Sequence, residues 1–342
     1  MITGYEKTAF LHLPTPLEYL PTLSRELKVE FYVKRDDLTH PGMGGNKLRK
    51  LEYLLKDAQS QGATMLMTVG GVQTNHGRLT AAVAAKFGMK CAILSIGEHP
   101  DELSANMLLS RLLGADVIVK SDDGRPEQEQ YEDLTAQMKR KYETQGERVY
   151  LIPMGGSNEI GFLGYYECAK EISAQALAQN LDDARIFTAV GSMGTFLGLY
   201  CGLRNENAPL RCTGIAILPF DTAEDEALMD FFHRVKKTYA LRFDAALEDF
   251  DIRREYTRGG YNNASAAVRR AIRYMAEKEA IFLDPCYTGK CFAGMLDMIE
   301  EGKIKPGEKV ILVHTGGFPG IYTKHHRQAF EEELMGGVYL LD

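Results

Sequence analysis

The stretch MLMTVGGVQTNHGRLTAAVAAKFGMKCAILSI, residues 65–96, contains one complete unit of the predicted fold. An apolar run ends at Val69, a polar turn follows, and an alanine-rich helical pattern leads to a second apolar run that begins at Cys91. Short apolar runs that alternate with helical patterns are typical of parallel strands joined by crossover helices. The stretch therefore predicts an α/β protein.

The same alternation continues along the chain. Further strands are predicted at residues 116–120, 149–153, 186–191, 213–218 and 310–317. Leucines at helical spacing in residues 46–62 predict a helix that closes on Gly62, and the polar residues 121–130 predict an exposed loop. Open parallel sheets collect ligands at the carboxyl ends of their strands, so the turns that follow the strands are candidate sites.

Composition excludes several classes of protein. The 342 residues carry a formal net charge of -7 and no basic stripe, which argues against a nucleic-acid binder. No stretch approaches the roughly 18 apolar residues of a membrane span, so we expect a cytoplasmic protein. The six cysteines form no CxxC pair, and the sequence therefore suggests neither a zinc site nor a redox pair.

A glycine-rich loop precedes Lys47 in PGMGGNKLRKLEYLL, residues 41–55. A nucleotide-binding Walker A loop would need the lysine directly after a glycine and a Ser or Thr after the lysine, whereas Asn46 and Leu48 stand there. The nucleotide interpretation fails. Taken alone, Lys47 is either a solvated lysine at a helix start or a nucleophilic amine.

Two strand-to-helix turns have the composition of anion sites. In residues 69–85, Thr74, Asn75 and His76 either cap a helix or direct backbone N–H groups at a carboxylate. In residues 190–203, the glycines and small side chains form either a phosphate cup or a plain tight turn, and they do not make the GxGxxG dinucleotide fingerprint.

Two later motifs place hydroxyl groups in or beside turns. LDPCYTGKCFAG, residues 283–294, contains Tyr287 and Thr288, and ILVHTGGFPG, residues 311–320, contains Thr315. Such hydroxyls can serve a ligand or can satisfy neighbouring backbone groups, and each motif is weak by itself.

In their order, these motifs resemble one family, the fold type II pyridoxal-phosphate enzymes that include D-cysteine desulfhydrase and 1-aminocyclopropane-1-carboxylate deaminase. The resemblance begins at TPLEYLP, residues 15–21, continues through YVKRDDLT, residues 32–39, and reaches about Gly320. It implies a tryptophan synthase β-like homodimer with two three-layer α/β domains and mainly parallel sheets. The large domain would comprise residues 1–48 and 164–342, the small inserted domain would comprise residues 49–163, and the cofactor would lie between them.

The resemblance also implies which residues hold the cofactor. Lys47 matches the lysine that forms a Schiff base with pyridoxal phosphate and then moves protons at the substrate Cα. Lys50 matches the lysine that reaches the cofactor phosphate, and Asn75 matches the asparagine at the phenolic oxygen. The backbone cup for the same phosphate would be formed by Gly191, Ser192, Met193, Gly194 and Thr195.

Other residues match substrate positions. Thr74, Asn75 and His76 align with the turn that grips the substrate carboxylate, although most members have serine where this chain has Thr74, and the resemblance implies that the added methyl group would crowd the substrate. Tyr261 matches an active-site tyrosine. Arg258, three residues before it, either carries an ordinary surface charge or faces an anionic group of the substrate.

The pair Tyr287 and Thr288 resembles the desulfhydrase branch, since the cyclopropane deaminases carry Tyr-Glu. Thr288 and Thr315 would place hydroxyls rather than a carboxylate near the pyridine nitrogen, which weakens protonation of the ring and favours β-elimination. We therefore expect elimination from D-cysteine to give pyruvate, ammonia and hydrogen sulfide. The alternatives are L-cysteate sulfo-lyase activity, 1-aminocyclopropane-1-carboxylate deamination, and a binding protein that kept the fold without activity.

Overall fold

The computed structural model describes residue 2 and residues 4–339. The strands are β1 (Leu17–Tyr19), β2 (Glu30–Lys34), β3 (Met65–Val69), β4 (Lys90–Ile96), β5 (Asp116–Lys120), β6 (Val149–Ile152), β7 (Arg185–Val190), β8 (Arg211–Ala216), β9 (Ile252–Arg253) and β10 (Lys309–Val313). The helices are α1 (Pro21–Leu27), α2 (Lys47–Ser60), α3 (Asn75–Lys86), α4 (Ala105–Leu112), α5 (Glu127–Thr144), α6 (Glu159–Ala178), α7 (Gly194–Asn205), α8 (Thr222–Tyr239), α9 (Ala266–Glu279), α10 (Thr288–Glu300) and α11 (Lys324–Leu334).

The strands form two sheets. One has six strands in the order β1-β2-β10-β7-β8-β9, in which only the edge strand β1 runs antiparallel to its neighbour. The other has four parallel strands in the order β5-β4-β3-β6. The predicted α/β architecture with mainly parallel sheets is confirmed.

The predicted strand positions agree with the structure to within a few residues. The largest difference is at β10, which ends at Val313 because residues 314–317 form the turn that follows it. The predicted domain boundaries at residues 48/49 and 163/164 fall inside α2 and α6, and they stay a prediction.

The polar segment 121–130 is only partly the loop that the sequence predicted. Helix α5 begins at Glu127, after Pro126, and its first turn carries Glu127 and Glu129. Acidic side chains at a helix start are stabilised by the helix dipole, so the run of acidic and amide residues favours a helix once the proline has set its start. The exposed loop is therefore limited to residues 121–126.

Glycines allow α2, α6 and α7 to pack closely. A Cβ atom at Gly164 of α6 would lie 2.5 Å from the carbonyl carbon of Arg49 on α2. A Cβ atom at Gly198 of α7 would lie 2.6 Å from the Cβ atom of Tyr165 on α6. Because these contacts leave no room for a side chain, the starts of α2 and α7 are held at fixed positions relative to each other.

A buried ion network anchors α2 to the first strands. Arg49 donates to Asp36 at 2.8 Å and to Glu171 at 2.9 Å, and Lys34 donates to the same Glu171 at 2.5 Å. Burial disfavours the charge of Asp36, but the Arg49 guanidinium outweighs this effect and holds the pKa of that carboxyl below its ordinary value. Since the network is fully paired, α2 carries Lys47 on a rigid base.

None of the helices within the described residues is both long enough and apolar enough to cross a membrane. All six cysteines lie buried as free thiols.

Candidate active site

The loop before Lys47 packs against the turn that follows β10. The backbone N–H of Asn46 donates to the carbonyl oxygen of Thr315 at 3.0 Å. A Cβ atom at Gly45 would lie 3.0 Å from the same oxygen, and a Cβ atom at Gly316 would lie 2.8 Å from the Cα atom of Gly45. The two backbones can approach this closely only because Gly45 and Gly316 have no side chains. The structure thus joins two motifs that are far apart in the sequence.

Lys47 is the first residue of α2 and is half-buried. Burial lowers the pKa of its ammonium group to about 8, because a poorly hydrated site disfavours the charged form. A lysine amine is a nucleophile and a proton acceptor only when it is neutral. Lys47 therefore has an amine that can react near neutral pH.

Lys50 lies one turn further along α2 and is fully buried. Its Nζ donates to the carbonyl oxygen of Gly155 at 3.1 Å and to Ser157 Oγ at 3.0 Å. Ser157 Oγ is in turn 2.9 Å from Ser192 Oγ. A Cβ atom at Gly194 would lie 2.8 Å from Lys50 Nζ. The start of α7 and the loop after β6 therefore converge on one buried amino group.

The electrostatics of this cup suit a phosphate group. Burial and the nearby charge of Lys47 lower the pKa of Lys50 well below its ordinary value. An anion beside Lys50 would offset both effects, and the free backbone N–H groups at a helix N-terminus favour negative charge. Asn46 Nδ2 also donates to Thr195 Oγ1 at 2.9 Å, which ties the Lys47 loop to the cup. These residues fit the phosphate of a cofactor that Lys47 could hold.

Thr74 and Asn75 lie where β3 leads into α3. Thr74 is the N-cap residue, and its Oγ1 accepts the backbone N–H of Gly77 at 3.2 Å. Its methyl carbon is directed at Gly77, since a Cβ atom there would lie 2.5 Å from it. Thr74 thus has the helix-capping role that the sequence offered as one alternative. Asn75 Oδ1 accepts a hydrogen bond from Asn106 at 2.9 Å, and Asn75 Nδ2 lies beside Gly317.

His76 is buried, and its Nε2 is 2.9 Å from Thr68 Oγ1 on β3. Burial, together with the charges of Lys47 and Lys50, lowers the pKa of His76 well below its ordinary value, so the ring is neutral. The predicted grip of His76 on a substrate carboxylate stays a prediction.

Tyr261 and Tyr287 form a hydroxyl pair, with 3.1 Å between their oxygens. The ring of Tyr287 packs over the phosphate cup, because a Cβ atom at Gly191 would lie 3.4 Å from Tyr287 Cε1. Burial raises the pKa of Tyr287 well above its ordinary value, so its hydroxyl keeps its proton and can donate. The structure therefore brings the predicted tyrosines together beside the cup.

Thr288 is buried at the start of α10, and its hydroxyl donates to Asp284 Oδ1 at 2.7 Å. The Asp284 carboxylate also accepts the backbone N–H groups of Cys286, Tyr287 and Thr288. It therefore caps α10 and has no oxygen left for a ligand. Thr315 is buried, and its hydroxyl has no hydrogen bond within the described part of the chain.

Arg258 pairs with Asp297 on α10. Both residues line an open cleft together with Ala267, Arg270 and Tyr274. The ordinary surface-charge interpretation accounts for this arrangement without a substrate.

Lys290 is fully buried on α10 and holds the loop that carries Tyr261. Its Nζ donates to the carbonyl oxygens of Ile217 at 3.2 Å and Thr257 at 2.9 Å, and to that of Gly260. Among the described residues, no carboxylate forms an ion pair with it. The ammonium group of Lys290 thus holds the backbone after β8, at Ile217, and the backbone of the loop that carries Tyr261.

Sequence reasoning missed several of these residues. Ser157 follows β6 in MGGSN, residues 154–158, and the rule that ligands gather at strand ends could have found it. Asp284 and Lys290 flank the Tyr-Thr pair in LDPCYTGK, but nothing in that motif separates a structural charge from a catalytic one. Asn106 comes from a distant helix and has no local signal.

A reactive lysine beside a buried phosphate cup, at the carboxyl ends of parallel strands, defines an enzyme that binds a phosphorylated cofactor at its lysine. The family model of pyridoxal-phosphate dependent enzymes matches residues 9–316. The chain belongs to this family, and its cofactor is pyridoxal phosphate.

Curated relatives cover nearly the whole chain. The D-cysteine desulfhydrase of Klebsiella pneumoniae (strain 342) is 37% identical over 329 residues, which are 95% of this chain and 98% of the relative. A Pyrococcus horikoshii protein named "Putative 1-aminocyclopropane-1-carboxylate deaminase" is 36% identical over 323 residues, 94% of this chain and 95% of the relative. The resemblance to this group is thereby confirmed.

Solved structures support the same fold. The crystal structure of an ACC deaminase homologue superposes with a TM-score of 0.84 at 33% identity and covers 98% of this chain and 97% of the homologue. A fungal L-serine ammonia-lyase from Rhizomucor miehei shares the fold, with a TM-score of 0.65 at 16% identity. The superposition covers 94% of this chain and 99% of the ammonia-lyase chain. The fold type II architecture is confirmed.

Proposed function

We propose that the chain catalyses α,β-elimination from D-cysteine to give pyruvate, ammonia and hydrogen sulfide. The observation that carries this proposal is the environment of Thr288. Its hydroxyl is bonded to Asp284, and that carboxylate is saturated by three backbone N–H groups and the hydroxyl. At the positions that the resemblance assigns to the pyridine end, the Asp284 carboxylate and the Thr288 hydroxyl are thus already bonded to each other, and the Thr315 hydroxyl is the one without a hydrogen bond within the described part of the chain.

This environment selects among the reactions of the family. Pyridoxal phosphate, when bound, supplies an electron sink for the negative charge that develops at the substrate Cα. An acidic partner at the pyridine nitrogen strengthens that sink, and hydroxyls leave it weaker. Elimination places the electrons on the departing sulfur, so a weaker sink is sufficient. Opening a cyclopropane ring has no such leaving group.

The residues of the cup would hold the cofactor. Lys50, Ser157 and Ser192 would contact its phosphate together with the N-terminus of α7, and Asn75 would donate to its phenolic oxygen. Lys47, with its lowered pKa, would bind the aldehyde carbon and, after the substrate amino group replaces it, accept the Cα proton. After loss of the Cα proton, the C–S bond would break with its electron pair on sulfur, the sulfur would take a proton to leave as hydrogen sulfide, and hydrolysis of the aminoacrylate would give pyruvate and ammonia.

The Tyr261–Tyr287 pair suits proton transfer at the leaving group. Both hydroxyls lie beside the cup, and Tyr287 keeps its proton because of burial. A positioned hydroxyl can donate to a departing thiolate, and a second hydroxyl can replace the proton along the hydrogen bond. We assign the two tyrosines this role, with Tyr287 nearer the cofactor.

The alternatives have less support. L-cysteate would need a cation for its sulfonate, but Arg258 is paired with Asp297 and His76 is buried and neutral. Cyclopropane deamination would need an acidic group in place of Thr288. A binding protein without activity would not need the hydrogen-bonded Tyr261–Tyr287 pair beside the cup.

A substrate panel tests the proposal. Purified protein supplied with pyridoxal phosphate is incubated with D-cysteine, L-cysteine, L-cysteate and 1-aminocyclopropane-1-carboxylate, and the keto acid and the sulfide or sulfite are quantified. We expect D-cysteine to have the highest kcat/KM and to give pyruvate and sulfide in equal amounts. Faster release of sulfite from L-cysteate, or faster ring opening, would replace the proposed reaction with that alternative.

We also propose a cytoplasmic location and a homodimer. The buried, unpaired state of all six cysteines supports a reducing compartment. The homodimer rests on the resemblance, and size-exclusion chromatography with light scattering tests it.

A further inference from the structure

Asn75 can face the cofactor with either end of its amide group, and only one end supplies a hydrogen bond to a phenolate. The Nδ2 group donates and Oδ1 accepts. The direction of the amide therefore decides whether Asn75 stabilises or destabilises a negatively charged phenolic oxygen. Neighbouring residues in this structure determine that direction.

Arg78 on α3 is fully buried. A guanidinium group has N–H donors only and no acceptor. Burial lowers the pKa of Arg78 to about 10, so the group is still charged at neutral pH. Its Nε donates to Asn106 Oδ1 at 2.7 Å, and its other nitrogens donate to the carbonyl oxygens of Gly42 and Gly44. The partner atom on Asn106 must therefore be the oxygen.

The orientation of Asn106 then determines that of Asn75. With Oδ1 of Asn106 taken by Arg78, its Nδ2 donates to the backbone oxygen of Gln73 and to Asn75 Oδ1, both at 2.9 Å. The backbone N–H of Asn106 donates to Gln73 Oε1 at 3.0 Å, which fixes the residue further. Asn75 Oδ1 is thus occupied, and its Nδ2 is the end left for a ligand.

We propose that Arg78 and Asn106 are positioning residues that force Asn75 to present its N–H donor to the phenolic oxygen of the cofactor. The relay from Arg78 through Asn106 to Asn75 sets a hydrogen-bond direction, and its first two members do not themselves touch the cofactor. Its effect is to favour the negatively charged phenolate form, since a donor to a charged group stabilises that form.

Asn106→Asp tests the relay because it reverses the direction. A carboxylate at residue 106 accepts from Arg78 as before, but it can no longer donate to Asn75. Asn75 Nδ2 then turns toward the introduced carboxylate, and Oδ1 faces the cofactor. We expect the pKa that governs the absorbance change of the bound cofactor to rise by about one unit, which is a tenfold change in proton affinity. Cofactor affinity, measured by fluorescence titration, should fall about tenfold as well.

Two comparisons separate the possible causes. Asn205 is also buried with both ends of its amide bonded, to Tyr166 and to the backbone of Arg242, and Asn205→Asp should leave the cofactor spectrum unchanged. In an Asn75→Ala background, Asn106→Asp should have no further effect on the spectrum. A full effect of Asn106→Asp in that background would overturn the relay.

The inference depends on the cofactor site assigned above, and the variants distinguish the two. If Asn75→Ala leaves the absorbance pKa unchanged, the assignment of Asn75 to the phenolic oxygen fails. If Asn75→Ala shifts that pKa and Asn106→Asp does not, the relay alone fails. Should Asn106→Asp not fold, Asn106→Ala replaces it. A shift in the absorbance pKa that is smaller than the shift caused by Asn75→Ala, and that disappears when Asn106→Ala is combined with Asn75→Ala, supports the relay. An unchanged absorbance pKa in Asn106→Ala overturns it.

Discussion

Lys290→Met removes a buried charge that holds the Tyr261 loop, and it provides a test of how that loop is positioned. The ammonium group donates to the carbonyl oxygens of Ile217, Thr257 and Gly260, and the last two lie just before Tyr261 in the same loop. Methionine has nearly the same length and cannot donate. The substitution therefore leaves the volume filled and the three carbonyl oxygens without this donor.

The expected magnitude follows from these contacts. A hydrogen bond to a charged group contributes about 1.5–3 kcal/mol, and removal of a poorly hydrated ammonium offsets part of that sum. We expect the free energy of unfolding to fall by about 2–4 kcal/mol. A displacement of Tyr261 by about 1 Å should lower kcat/KM for D-cysteine by tenfold to a hundredfold.

A double-mutant cycle separates positioning from stability. The kcat/KM for D-cysteine is measured for wild type, Lys290→Met, Tyr261→Phe and the double variant. If Lys290 acts through Tyr261, its substitution costs much less in the Tyr261→Phe background, with a coupling energy of about 1–3 kcal/mol. Lys309→Met serves as the control, because Lys309 contacts Asn180 and Asp183 on the surface. Additive effects of the two substitutions would refute the reasoning.

Three further predictions concern the lysine, the cup and the turn. Only the neutral amine of Lys47 reacts with pyridoxal phosphate, so the rate at which the apoprotein binds the cofactor should rise with pH, with a midpoint at about 8. The rate is measured from the absorbance of the bound cofactor between pH 6 and 10. A midpoint near the ordinary pKa of lysine would contradict this prediction. Ser157→Ala removes a hydroxyl bonded to Lys50 and should weaken cofactor binding about fivefold to tenfold. Ser173→Ala on α6, where the hydroxyl is bonded only to the backbone of its own helix, is the control. Equal cofactor affinities of the two variants would mean that Ser157 does not contact the cofactor phosphate. Thr74→Ser keeps the hydroxyl that caps α3 and removes a methyl group that faces Gly77. The ratio of kcat/KM for D-cysteine to kcat/KM for L-cysteate should therefore change less than about threefold. A larger change would mean that the methyl group contacts the substrate.

Strands β3 to β8 and β10 were predictable because each is a short apolar run with a break at its carboxyl end. Residues 65–69 and 116–120 match β3 and β5 as predicted. Strands β1, β2 and β9 were not predicted. The edge strands β1 and β9 have only three and two residues, carry no periodicity and depend on pairing with a neighbouring strand, and β2, with the sequence EFYVK, has a charged residue at each end.

The site was predictable where one motif contains both the turn and the functional group. Lys50 lies beside Gly194 of the turn at residues 191–195, and Asn46, next to Lys47, donates to Thr195 of the same turn. The roles of these residues toward the cofactor stay a prediction. The orientation of side chains was not predictable. His76 turns toward β3 and Arg258 toward Asp297, because partners from distant segments decide where a polar side chain points.

Residues that only support others were the hardest to find. Asn106 and Lys290 act through hydrogen bonds to backbone and side chains from other elements, and tertiary packing creates those bonds. The sequence around Asn106 or Lys290 therefore does not indicate which groups these side chains bond to.

Mapping the lysine that holds the cofactor tests the central claim most directly. The protein loaded with pyridoxal phosphate is reduced with borohydride and digested, and the modified peptide is sequenced by mass spectrometry. Lys50, which is fully buried three residues further along the same helix, is a built-in comparison. We predict modification of Lys47 and none at Lys50, with loss of both modification and D-cysteine turnover in Lys47→Ala. Modification at Lys50 or another lysine, or none in the loaded wild-type protein, would contradict the account.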